Sequence, residues 1–214
     1  MGPHPPRLDP VRLHDLTDGP LPDGDDDIVE ARRIRDVTAD ELVLDGLTFT
    51  ECELASWRVQ HLTMATTRLM DVSIRGWGVP VVAAGRLSVR NLEVHESRLG
   101  AVDLHDARVR RLLVKGAKLT WVNLRAAELT DVRFEECAFD EIDLSDATAT
   151  RVAFHDCTTA TVSLHNSKLT DVDLQGLEMR TINGLGGLRG ATISQAQLSE
   201  LAPLLAAHQG IVVD

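Results

Sequence analysis

The chain has 214 residues, 43% of them hydrophobic, enough to bury the core of one or two domains. It carries 22 Lys and Arg against 33 Asp and Glu, a formal charge of −11, with four Phe, three Trp and no Tyr. That balance excludes a generally basic nucleic-acid binder and an aromatic base-stacking platform, so no direct nucleic-acid partner is expected. Three cysteines do not make a disulfide framework, and a reduced, cytoplasmic setting is the expectation. No apolar run approaches the roughly 18 residues of a membrane span, so no membrane partner is expected. The opening MGPHPPRLDP lacks a charged segment followed by an apolar one, and no leader is expected.

Residues 1–27 hold six of the eight prolines and end in Asp23-Gly24-Asp25-Asp26-Asp27. With few apolar groups to bury, this stretch reads as a disordered arm. Residues 28–41 read as an N-terminal cap on the body of the chain.

From Leu42 the sequence repeats. Apolar residues recur every five positions in two interleaved series, such as Leu104, Val109, Val114, Leu119, Leu124 and, two residues earlier, Val102, Ala107, Leu112, Ala117, Val122. The register runs unbroken from Leu42/Leu44 to Leu177/Met179, which is 28 pentads and 56 slots. None of the 36 charged residues between positions 41 and 179 occupies a slot, an outcome with a chance probability of about 10⁻⁸ by template counting. Helical and alternating-strand periods both fail. The earlier slot alternates larger and smaller every ten residues, so opposite faces match and four pentads close a square turn of 20 residues. Residues 20 apart then stack at strand spacing, about 4.8 Å, and seven coils span roughly 34 Å.

This repeat resembles the pentapeptide-repeat family, consensus A(D/N)LXX, most clearly at Val122-Asn123-Leu124, Ile142-Asp143-Leu144 and Val172-Asp173-Leu174. The resemblance implies an all-β solenoid: a right-handed quadrilateral β-helix over residues 42–193. Trp57 and Trp77, 20 apart in slots that favour small side chains, should stack at one corner. Gly76, Gly78 and Pro80 mark a local distortion, and wider, less regular coils are expected before about residue 95.

Open coil ends must be covered, because their backbone groups are unpaired. After Ile182 the phase slips by one through Gly184-Leu185-Gly186-Gly187. Residues 194–214 read as a helix and tail. Ser194 and Gln197 form a candidate capping box, Leu198, Leu201, Leu204 and Leu205 a helical apolar stripe, and Pro203 predicts a kink or two short helices. Ile211-Val212-Val213 reads as a short strand.

No catalytic or metal-ligating constellation emerges. His105 and His165 share a face but lie three coils, roughly 14 Å, apart, so no cofactor is expected and the chain reads as a non-enzyme. Cys137 and Cys157 share an inward column and read as two buried thiols rather than a disulfide. Residues 98–125 form a basic belt and residues 126–157 an acidic one. Stacking pairs Arg108 with Glu128, Arg111 with Asp131, and Lys115 with Glu135. Glu136, Asp140, Glu141, Asp143 and Asp146 then remain as an unpaired acidic strip, the candidate partner-binding surface.

A rigid rod with segregated charge suits a protein-interaction module whose partner the sequence does not name. Resemblance to acidic bacterial members of the family implies a sharper alternative. Those members mimic duplex DNA and bind DNA gyrase or topoisomerase IV, inhibiting the enzyme or protecting it from quinolone-type poisons. It also implies a homodimer through the C-terminal element, with Leu198, Leu201, Leu204 and Leu205 in a two-fold contact.

Overall fold

The computed structural model describes residues 2–21 and 27–212. From residue 28 the chain winds as a quadrilateral β-helix of about eight coils closed by one C-terminal helix. Each regular coil holds an eight-residue strand such as Arg108–Lys115, then a six-residue strand such as Lys118–Asn123, then a tight turn. Every strand of these coils pairs in parallel with the strand 20 residues on: Val89 with Val109, Val109 with Leu129, Val122 with Ile142. Both slot series point inward, and the buried side chains from Val29 to Ile182 form one continuous core.

The square section has a backbone cause. Three corners per coil sit in the left-handed region, as at Asp106, Arg111 and Gly116 or Ala126, Asp131 and Glu136, with φ between +53° and +62°. A left-handed residue turns the extended chain sharply, and Asp, Asn and Gly tolerate it best. The fourth corner, at Ala101, Trp121 and Glu141, stays within the six-residue strand.

The stacked columns behave as their chemistry dictates. The rings of Trp57 and Trp77 stack with centroids 4.7 Å apart, and their indole N–H groups donate to the Ile34 and Leu54 carbonyls, each at 3.1 Å. Phe134 and Phe154 stack at 5.0 Å, with Phe139 edge-on to both. Hydroxyls and thiols in the inward slots donate to the carbonyl 23 residues earlier: Thr67 to Leu44, Ser167 to Leu144, and Cys137 to Val114. A donor in that slot is therefore satisfied by the coil beneath it. Cys52, Cys137 and Cys157 are free, buried thiols.

Several boundaries move. Residues 28–41 are the first coil, not a cap: Val29 and Ile34 are buried, and Ile28–Glu30 and Arg32–Arg35 pair with the next coil. The cap is supplied by the arm, whose Thr17–Asp18 adds a parallel strand to Arg32–Arg33 on the open edge. The arm itself is not disordered over residues 2–21, because the rod's outward polar groups hold it; Asp23, Gly24, Asp25 and Asp26 lie outside the described residues. Regular coils begin at Arg68, well before residue 95, and Gly78–Ala83 is a fully registered strand. The close approach there is at Gly100, where a Cβ would collide with the Pro80 carbonyl oxygen. The interior is not completely filled: an apolar space of about 110 Å³ runs between Met64 and Phe134.

At the C-terminal end the slip by one residue is present, since Val172 pairs with Ala191. Ser194 and Gln197 form the reciprocal capping box. Gln197 also donates through Nε2 to the Leu174 and Leu177 carbonyls at 2.8 and 2.9 Å, which closes the last coil's edge. Gln195–His208 is one continuous helix with Pro203 inside it, not two short helices. Ile211 and Val212 are not in a strand, and Val213 lies outside the described residues.

Candidate partner-binding surface

Because coils repeat every 20 residues, outward residues form axial columns about 4.8 Å apart. These columns are hydrogen-bonded ladders. Asn91 donates to Asp71 at 2.7 Å, Asn123 to Asp103 at 2.8 Å, Asn166 to Asp146 at 3.1 Å and Asn183 to Ser163 at 3.2 Å. Two of the expected cross-coil ion pairs are present, Arg108–Glu128 at 3.8 Å and Lys115–Glu135 at 3.2 Å.

The third is not. Asp131 pairs with Arg151, whose Nε and Nη2 donate to its two oxygens at 2.6 and 2.8 Å. Arg111 turns instead to Asp9 of the arm, at 2.8 Å. Asp131 is buried and also accepts from the Arg7 backbone N–H at 2.9 Å. The Arg151 guanidinium holds its carboxyl below the usual aspartate range, with the Arg7 N–H adding to the effect.

The acidic strip is mostly neutralised. Glu136 is 3.2 Å from Lys115, and Arg125 reaches Asp143 at 3.4 Å and Asp146 at 3.7 Å. Glu136 and Glu135 together raise the Lys115 pKa above its ordinary value. Axial stacking by 20 residues does not exhaust the pairings: Lys115 bridges to residue 136, and Arg125 spans to residues 143 and 146, across corners. Among the described residues, Asp140 and Glu141 have no ion-pair partner and remain as an acidic pair on the six-residue strand Ala138–Asp143. Glu141 lies beside half-buried Trp121 in the register.

The four leucines of the C-terminal stripe also divide. Leu201 is buried and Leu205 packs on the core, so neither is free for a dimer contact; both serve the cap. Leu198 and Leu204 are exposed, at 42% and 47%.

The family model for the pentapeptide repeat region matches residues 107–184. This stretch is a pentapeptide-repeat region. In the structure the later slot continues back to the first coil, at buried Val29 and Ile34, whereas the earlier slot there holds exposed Arg32. No curated protein matches the chain. Among solved structures, trypsin-treated QnrB1, a plasmid-mediated fluoroquinolone resistance protein, is 14% identical over 87% of this chain and 91% of its own, with a TM-score of 0.28. Among the described residues, no helix is long and apolar enough to cross a membrane.

The arm contacts are what sequence reasoning missed. His4, Arg7, Asp9 and Val11 meet Asp171, Asp131, Arg111 and Glu93. The one available signal was the column Asp71, Asn91, Arg111, Asp131, Arg151, Asp171, polar at every coil.

Proposed function

We propose that this pentapeptide-repeat rod is a non-enzymatic protein-interaction module. The observation that carries the reading is the pattern of axial ladders: Asn–Asp pairs tie outward side chains to their neighbours a coil away, and of the acidic strip only Asp140 and Glu141 stand outside the described ion pairs. The laddered side chains give up little entropy on association. The proposed contact is centred on Asp140 and Glu141, carboxylates available to a basic partner surface beside Trp121. Affinity capture from native cytoplasm tests it, comparing the unaltered chain with Asp140→Lys/Glu141→Lys. A partner retained by the first and lost by the second is expected; identical captures would refute the site.

A narrower reading is a duplex-DNA mimic that binds DNA gyrase or topoisomerase IV, favoured by the acidity of the chain, −11 in all with −6 of it on residues 28–214. A supercoiling titration with and without a fluoroquinolone tests that reading. Loss of supercoiling or protection from the drug is expected, reversed by Asp140→Lys/Glu141→Lys. No effect at tens of micromolar would end it. A homodimer through Leu198 and Leu204 belongs to the same proposal and would double the rod's length.

A further inference from the structure

The N-terminal arm runs the length of the rod in the direction opposite to coil growth. His4 donates from its backbone N–H to Asp171 at 3.1 Å, Arg7 to Asp131 at 2.9 Å and Val11 to Glu93 at 3.0 Å. The His4 ring also meets Asp171 at 3.0 Å, and Asp9 meets Arg111 at 2.8 Å. Pro3, Pro5, Pro6 and Pro10 fix φ near −65°, and residues 2–14 form no helix or strand.

The first spacing is commensurate. A proline-rich extended chain rises about 3.1 Å per residue, so the three residues from His4 to Arg7 cover about 9.3 Å. Asp171 and Asp131 lie two coils apart, about 9.6 Å at strand spacing. Over that interval the rod offers carboxylates at the rise of a polyproline-type chain; the next step, from Asp131 to Glu93, is met by four arm residues, Arg7 to Val11, about 12.4 Å at the same rise. Three of the five contacts read the arm's backbone, so they tolerate many sequences; the Asp9–Arg111 pair supplies the charge preference.

The arm fits this groove incompletely. A space of about 200 Å³ lies between Leu8, Asp9 and Pro10 on the arm and Asn91, Glu93, Arg111 and Arg133 on the rod. Arg111 Nε and Arg133 Nε are buried there without a hydrogen-bond partner. Unpaired buried guanidinium N–H groups call for another anionic acceptor. Exposed Arg90 and Arg110, stacked in register beside the arm, add positive charge.

We infer that this face is a docking groove for an extended, proline-rich acidic segment of a partner protein, and that residues 4–11 occupy it in cis as a displaceable stand-in. The inference rests on the chain being an interaction module and names a second surface on it. The arm's tether gives it an effective concentration that a free segment must overcome, so a trans ligand must fit better or meet a loosened arm.

The probe is a fluorescein-labelled peptide copying residues 2–12, titrated by anisotropy against the full chain. Asp9→Lys detaches the cis arm from Arg111 without touching the groove, and should tighten peptide binding at least ten-fold over the unaltered chain. Adding Arg111→Glu should weaken it at least ten-fold, and Arg90→Glu serves as the exposed groove variant should Arg111→Glu melt early. A peptide carrying Leu8→Glu should bind more tightly than the parent peptide by supplying an acceptor in the unfilled space. No saturable binding to the Asp9→Lys chain, or binding indifferent to both arginines, would overturn the inference. So would sedimentation showing that the unaltered chain dimerises by exchanging arms, which would make a second copy the occupant. A failed titration alongside capture that still depends on Asp140 and Glu141 would sink the groove alone.

Discussion

Replacing Asp131 by Asn isolates the charge of one buried carboxylate. Asn tolerates the left-handed corner as well as Asp does, so φ of +59° is kept, and its Oδ1 can still accept the Arg7 N–H. What is lost is the fork: Arg151 donates to both Asp131 oxygens, and an Asn NH₂ would place donor against donor at one of them. A hydrogen bond to a charged group contributes about 1.5–3 kcal/mol. At roughly 2–4 °C per kcal/mol for a chain of this size, the melting temperature should fall by about 3–12 °C at pH 7. The pH dependence comes from the direction of the shift. Asp131 titrates lower in the folded rod than in the unfolded chain, so its contribution is fully present above the unfolded value of about 3.9 and disappears as pH falls through the lower folded value. Melting curves by circular dichroism should therefore differ at pH 7 and converge progressively below pH ~4. Equal melting temperatures at pH 7, or a gap that stays constant into strong acid, would refute the reasoning.

Leu124 is buried in the apolar column, and Leu124→Asp places an unpaired carboxylate there at a cost of several kcal/mol; strand signal and soluble yield should fall, whereas Leu124→Met should cost less than about 1.5 kcal/mol. In the native rod the three thiols should resist a thiol reagent, because all are buried and the Cys137 pKa is pushed up by neighbouring Cys157 and by desolvation. Denaturation without reductant should release all three to titration, and a count below three would contradict the free-thiol assignment. Leu198→Asp/Leu204→Asp should leave the melting temperature unchanged and convert any helix-mediated dimer to monomer by sedimentation. Leu201→Asp should instead destabilise the cap, since that side chain is buried against the rod.

The rod was legible because its period is enforced by burial. A charged residue in a slot would be an unpaired charge in a dry column, so the 20-residue register is written into which positions exclude charge. Ladder partners were legible where a column offered one choice, as for Arg108 with Glu128. Asp131 had basic neighbours one coil away on both sides, Arg111 and Arg151, and the spacing is symmetric between them. Asp9, more than a hundred residues earlier, breaks the symmetry by taking Arg111. The arm's docking left no periodic trace because its anchors are backbone N–H groups meeting carboxylates. Composition weighs what can be buried, not what can be held from outside, so the arm read as disordered. Three members of the acidic strip turned out paired for a related reason: Lys115 and Arg125 reach across a turn to residues 136, 143 and 146, and axial stacking alone does not describe contacts around a corner.

Corners explain why the polar column that holds the arm lies where it does. A left-handed residue costs an ordinary L side chain about 1–2 kcal/mol, which favours Asp, Asn and Gly at three corners per coil. Stacking coils turns that local preference into axial polar columns without further selection. Arg111 and Arg151 depart from the preference, at φ of +61° and +52°, and each is held by a carboxylate, Asp9 for the first and Asp131 for the second. The strain at Arg111 is therefore offset partly by the arm. Replacing Arg111 by Asn should relieve the corner while releasing Asp9, so the rod would keep or gain stability as its arm loosens. Hydrogen exchange resolves the two effects: the Val11 amide should lose protection while amides of Ser88–His95 keep theirs. Coupled loss at both would mean that the arm is a structural part of the rod instead of a ligand resting on it.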